Sequence, residues 1–158
     1  MRKTELVNCP QWLLNATTEN EDVDFDQYGI LVWNGGDFLG GNFRGGDFLG
    51  GNFLGGNFRG GDFLGGNFWG GDFLGGNFRG GNFLGEKISR APISIYGLKN
   101  WYVQITPRKM HIGCQHHTHA KWKNFTAKEI AKMHIDATEF WRVNSKFLLS
   151  ICDYEASI

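Results

Sequence analysis

The chain is expected to be mainly β: a β-solenoid with a small cap before it and a short α-helical attachment after it. Three observations carry this expectation. One five-residue phrase is written ten times without a break between Gly36 and Gly85. The large residue of each copy continues at the same spacing into ordinary sequence on both sides. After Glu86 glycine becomes scarce, and helix-start patterns appear further on.

The first copy is Gly36-Asp37-Phe38-Leu39-Gly40 and the last is Gly81-Asn82-Phe83-Leu84-Gly85. Phenylalanine is always preceded by Asp or Asn and followed by Leu six times, Arg three times and Trp once. A period of five fits neither the 3.6 of a helix nor the 2 of a flat strand. It fits a chain that turns a corner every five residues, with Phe inward and a glycine pair supplying the backbone angles of the corner. Asp or Asn before Phe suits local side-chain-to-backbone bonding at a turn. Four such sides would close a square coil, and coils would stack through strand-like bonds at about 4.8 Å per step. Flexible Gly- and Phe-rich tails are the competing interpretation. Strict register argues against them, as does its continuation through Val23, Tyr28 and Trp33 upstream and Ile88, Ile93, Leu98 and Val103 downstream.

These residues resemble the pentapeptide-repeat family, whose units read small residue, Asp/Asn, Leu or Phe, then two variable positions. The resemblance implies a right-handed quadrilateral β-helix with twenty residues per coil, here over about residues 21–105. Glycine replaces the more usual alanine in the small inward position, which costs backbone entropy and leaves the filling to the aromatic rings.

Residues 1–20 precede the register. Pro10-Gln11-Trp12-Leu13-Leu14 reads as one helical turn begun by proline, with Trp12 and Leu13 on its buried side, placed to plug an open end of the solenoid. The acidic stretch from Glu19 to Asp26 reads as a solvated rim. With residues twenty apart stacked, Arg59, Arg79 and Lys99 would form a basic ladder beside Arg44, able to hold an anion or an acidic partner. Leu49, Trp69, Leu54 and Leu74 would form an outward apolar patch on adjacent sides. Monomers rarely leave such a patch wet, so a homodimer is expected through it.

From Glu86 the β-branched residues Ile88, Ile93, Ile95, Val103 and Ile105 read as the last coils, ended by Pro107, which has no amide to give another rung. Residues 106–158 are different material. Thr126-Ala127-Lys128-Glu129 is a capping-box pattern opening a helix to about Met133. Asp136-Ala137-Thr138-Glu139 opens a second, with Ala137, Phe140, Trp141, Phe147, Leu148 and Ile151 at helical spacing to about Cys152. This helical hairpin is too small to stand alone and should pack on the solenoid.

His111, Cys114, His116, His117 and His119 crowd into nine residues. A zinc site from His111, Cys114, His117 and His119 is the weaker interpretation, because structural zinc usually draws on two separated ligand pairs. Nucleophilic catalysis by Cys114 lacks a third partner. His116, His117 and His119 with Trp122 could instead contact a flat or anionic ligand, or simply pack. This part also resembles the tails of small phage and prophage proteins, through Ile112-Gly113-Cys114, His117, Trp122, Phe125 and Phe140-Trp141. That likeness implies a viral accessory protein and brings no catalytic residues.

Sixteen basic and sixteen acidic residues leave no net charge, which argues against generic attraction to nucleic acid. Neither a signal-length apolar run nor a membrane-spanning stretch is present in the sequence. Three unpatterned cysteines suggest reduced thiols, and the sequon at Asn15-Ala16-Thr17 reads as incidental. The expected function is that of a non-catalytic binder in the host bacterial cytoplasm, without cofactor, sequestering a host protein or an anionic nucleotide signal. A DNA mimic acting on topoisomerase and a structural component of a phage particle are the alternatives.

Overall fold

The computed structural model describes residues 1–99 and 101–158, which divide into two compact units, Met1–Ala91 and Pro92–Ile158. In the first unit each Asp/Asn-Phe pair forms a two-residue rung, and rungs stack in parallel. The step between stacked rungs is fifteen residues: Phe38 lies over Phe53, Phe43 over Phe58 and Phe48 over Phe63. A solenoid is present, but each coil has three sides, so the expected square coil of twenty residues is corrected to fifteen. Two backbone bonds per pentad hold successive coils together, as where Asn57 N donates to Gly41 O at 2.8 Å and Arg59 N to Phe43 O at 2.7 Å.

Ring packing explains why three sides suffice. Three columns run through the coil: Trp33, Phe48, Phe63 and Phe78; Phe38, Phe53, Phe68 and Phe83; Phe43, Phe58 and Phe73. Within a column the rings stack, for example Phe53 on Phe68 at 4.8 Å and 7°. Between columns they meet edge-to-face, for example Phe53 and Phe58 at 5.9 Å and 71°. Both are favoured arrangements for aromatic quadrupoles. Three rings meeting edge-to-face fill the lumen, and glycine at the corners lets successive coils approach closely, since a Cβ on Gly51 would lie 2.2 Å from Gly36 O. All ten repeat phenylalanines are buried.

The Asp/Asn positions do more than turn the chain locally. Asn52 Nδ2 donates to Asp37 Oδ1 at 2.8 Å, Asn67 to Asn52 at 3.0 Å and Asn82 to Asn67 at 2.9 Å, a side-chain ladder running from coil to coil. Asp47 interrupts the equivalent ladder on another side, since it stacks directly on Asp62. Burial foremost, then the neighbouring carboxylates of Asp62 and Asp26, push the Asp47 carboxyl above its ordinary range, partly offset by Arg79. Because the folded chain holds this proton more tightly than the unfolded one, Asp47 weakens the fold as pH rises from about 4 through its folded value. Asp47→Asn is expected to stabilise the unit by roughly 0.2–1 kcal/mol at neutral pH, with a carboxamide N–H to give to Asp62. The gain should shrink as pH falls through the acid range. Denaturant titration of both chains at pH 7 and pH 4 checks this, and an equal gain at both would refute the assignment.

The amino-terminal plug forms as expected. α1 (Gln11–Leu14) buries Leu13, and Trp12 meets Phe43 edge-to-face at 5.1 Å. The acidic stretch lies within the strand Thr17–Phe25, antiparallel to Leu31–Gly40, with Val23 buried opposite Trp33. Glu21 on that strand is buried rather than solvated. The inward register therefore reaches back to Trp33 and stops there: Tyr28 sits in a turn and is 78% exposed. At the other end Glu86–Lys87 folds back antiparallel on Asn82–Phe83, and Ile88 is the last buried residue of this core.

The strands expected as final coils belong to the second unit. Ile93–Leu98, Trp101–Ile105, Lys109–Ile112 and Gln115–Thr118 form a four-stranded antiparallel sheet in sequence order. The solenoid thus ends before residue 92 rather than at 105, because Ile93 and Val103 pair across an antiparallel sheet and not with a rung fifteen residues away. Pro107 falls between two of its strands. α2 (His119–Asn124) follows, then α3 (Ala127–Ala131), whose capping box between Thr126 and Glu129 is formed. α4 (Ala137–Ser157) runs five residues past the expected end at Cys152. Phe140, Leu148 and Cys152 of α4 pack with Val103, Ile105 and Met110 in one core. The helices therefore pack on this sheet, two of whose strands are the ones expected as final coils and two of which come from the histidine segment. Among the described residues, no helix is long and apolar enough to cross a membrane.

Candidate functional site

The fifteen-residue step redistributes the outward residues. Leu39, Leu54, Trp69 and Leu84 follow stacked Phe38, Phe53, Phe68 and Phe83 and so share one side. Trp69 is 48% exposed and Leu54 is 40% exposed. The side chains preceding those rings are the Asp37-Asn52-Asn67-Asn82 ladder, so this side combines an apolar row with a row carrying a single charge. Asn34, Leu49, Leu64 and Arg79 occupy the second side, and Arg44, Arg59 and Leu74 the third.

The expected stacking of Leu49 with Trp69 and of Leu54 with Leu74 does not occur. Leu54 and Trp69 come together, while Leu49 and Leu74 lie on the other two sides. Leu39 and Leu84 stand in the same row as Leu54 and Trp69 but are half-buried, Leu84 packing against the core. Of the three rows read at fifteen, Leu39-Leu54-Trp69-Leu84 is apolar throughout, while the other two mix leucine with Asn or Arg, so row chemistry does not single out the fifteen-residue step.

The basic ladder does not form. Arg59 and Arg79 stand on different sides, and Lys99 belongs to the second unit. Arg79 Nε pairs with Asp62 at 3.1 Å, and Arg59 Nε donates to Asn42 Oδ1 at 2.9 Å. Arg44, one coil before Arg59, makes the only stacked cation pair on the repeat. No side carries a continuous acidic row either: Asp47 and Asp62 stack, while Asp37 and Asp72 lie on separate sides.

In the second unit the histidine run forms the hairpin Lys109–Ile112 and Gln115–Thr118, turning at Gly113 and Cys114. Strand alternation sends its histidines different ways. His117 lies opposite Met110 and meets Trp122 and Phe125 edge-to-face, at 5.3 and 5.0 Å. Its Nε2 shares a hydrogen bond of 3.0 Å with Gln115 Oε1. Burial foremost, then His116 and Lys121, hold its imidazole below the ordinary value. His116 pairs with His111 on the opposite face. His119 Nε2 meets Lys109 O at 3.1 Å. Cys114 is exposed in the turn. The four zinc candidates are thus not brought to one point, and the described residues contain no group of three or more His, Cys, Asp or Glu able to hold a metal.

Trp122 is buried and its Nε1 donates to Met110 O at 2.7 Å, so it anchors α2 to the sheet instead of offering a face to solvent. Cys152 is fully buried, with its Sγ 3.8 Å from Met110 Sδ; burial pushes its thiol up to about 12, which leaves it inert.

Neither a family model, nor a curated protein, nor a solved structure matches the chain.

Proposed function

We propose that this chain is a non-catalytic binding protein of the phage accessory kind, acting in a bacterial host cytoplasm by occupying a host protein through the Leu54–Trp69 side of its solenoid. The observation that carries the proposal is the apolar row Leu39, Leu54, Trp69 and Leu84 on one side of a stacked coil, with Trp69 nearly half exposed. An exposed tryptophan beside an exposed leucine, next to a row of three amides and one carboxylate, is an apolar patch of the kind that binds protein, with the tryptophan as its anchor. Such a row is also a means of self-association, so a homodimer through the same side is the accompanying expectation. Dispersal of the histidines over two faces and a strand end favours a binder over an enzyme. With the basic ladder gone, an anionic nucleotide has only Arg44 and Arg59 to meet it and becomes the lesser target. A DNA mimic finds a single stacked carboxylate pair and is weaker still.

The test is to immobilise the wild-type chain and Trp69→Glu and compare what each retains from host lysate, with light scattering on both. A defined host protein retained by wild type and lost with Trp69→Glu, at unchanged circular dichroism, supports the proposal. Equal retention by both chains sinks the assigned surface. A monomer that retains nothing sinks the function.

A further inference from the structure

The second unit has a half-open pocket of about 70 Å³ between its helices and the hairpin turn. Its walls are Trp101, Trp122, Phe140 and Trp141, with Met133 and Ala137 completing them. Cys114, Gln115 and His134 stand among the residues bordering it. The aromatic walls are held by one another: Trp101 meets Phe140 at 4.7 Å and Trp122 meets Trp141 at 5.2 Å. Trp122 is further pinned by its bond to Met110 O.

We infer that this cavity is a small-molecule site that takes one uncharged aromatic ring bearing a hydrogen-bond acceptor. Three features select that chemistry. Its lining contains no Asp, Glu, Lys or Arg, and His134 at its border already faces the Asp136 carboxylate at 3.8 Å, so a charged ligand would find little to offset the cost of leaving water. Three tryptophans and a phenylalanine favour a flat π-system, which gains ring–ring contact beyond its buried area. Its volume is about half of the roughly 150 Å³ of an engineered cavity that takes up benzene, so a ring enters by one edge and leaves its substituent at the border. There Gln115 is oriented by His117 through Oε1, and its Nε2 has only the Cys114 sulfur as acceptor, at 3.8 Å. That N–H is placed to donate to a carbonyl oxygen or ring nitrogen of the ligand.

Cys114 is the natural reporter, being exposed beside the cavity, while Cys152 is fully buried. The experiment follows iodoacetamide alkylation of each cysteine in the full chain by mass spectrometry, with benzamide, nicotinamide or cyclohexanecarboxamide present up to millimolar concentration. Benzamide and nicotinamide are expected to slow alkylation of Cys114 saturably, by about fivefold or more, with Cys9 unchanged. Cyclohexanecarboxamide, of similar size but not flat, should protect little. Ala137→Leu, which fills the cavity, should abolish protection; if that chain fails to fold, Gln115→Leu should weaken it about tenfold. No protection by either aromatic amide overturns the proposal, as does equal protection by the saturated one. Retained protection in the variant tested overturns it too.

Discussion

Replacing Phe58 by alanine is expected to remove about 3–5 kcal/mol from the stability of the first unit. Phe58 has no exposed surface and sits midway in the shortest of the three columns. It stacks between Phe43 at 5.0 Å and Phe73 at 5.1 Å, and meets Phe53 and Phe63 edge-to-face. Four ring contacts go with one side chain. Neighbouring pentads are tied coil to coil by backbone bonds, so they cannot close inward to fill the space, and the cost approaches the full cavity term. Trp69→Ala, on the outside, should cost less than about 1 kcal/mol. Denaturant titration of the two chains makes the comparison, and a Phe58→Ala loss below that of Trp69→Ala would show that the rings do not carry the solenoid.

The second large effect is at a corner. Gly61 has φ +87°, and a Cβ built there would lie 2.0 Å from the carbonyl oxygen of Gly46 in the preceding coil. Gly45, in the corner one coil earlier, has nothing within 4 Å of an added Cβ, whereas a Cβ on Gly60, next to Gly61, would lie 2.6 Å from Arg44 O. Gly61→Ala should therefore cost about 1–2 kcal/mol for the left-handed backbone and roughly 1–3 kcal/mol more for forcing the coils apart. Gly45→Ala should be neutral or stabilising by about 0.4–1 kcal/mol through the unfolded chain. Thermal unfolding of both variants decides it. Equal destabilisation by the two substitutions would contradict the close approach of successive coils at Gly61.

The same close approach shows why the coil count was hard to read. Asp/Asn-Phe flanked by glycine states that a corner comes every five residues and that the ring points inward. It does not state how sharp the corner is. Sharpness depends on the backbone angles of the second glycine and on how many rings fill the lumen, and both emerge only when coils stack. Fifteen is fixed by which rungs stack, Phe38 on Phe53 and Phe43 on Phe58. From that one number came the lost ladder of Arg59, Arg79 and Lys99 and the divided patch of Leu49 and Leu74.

Local signals were dependable where neighbours in sequence supply the partner. The turn at Trp12 and Leu13, the capping box of Thr126 and Glu129, and the start of α4 at Ala137 all depend on residues within a turn or so of each other. Ile93 and Val103 misled because spacing by five places them in the solenoid register as well as in an antiparallel sheet. Only pairing with the hairpin at Met110 and Ile112 separates the two.

By itself, then, the sequence determined the pentad, the inward ring, the plug and the helix starts, since each is set by short-range backbone preference or by strict period. Tertiary structure alone decided three sides instead of four, which leucines share a face with Trp69, and where the histidines of the hairpin point. Those depend on contacts between residues fifteen or more apart, or across strands, where the energy comes from packing and hydrogen bonding that no local pattern encodes.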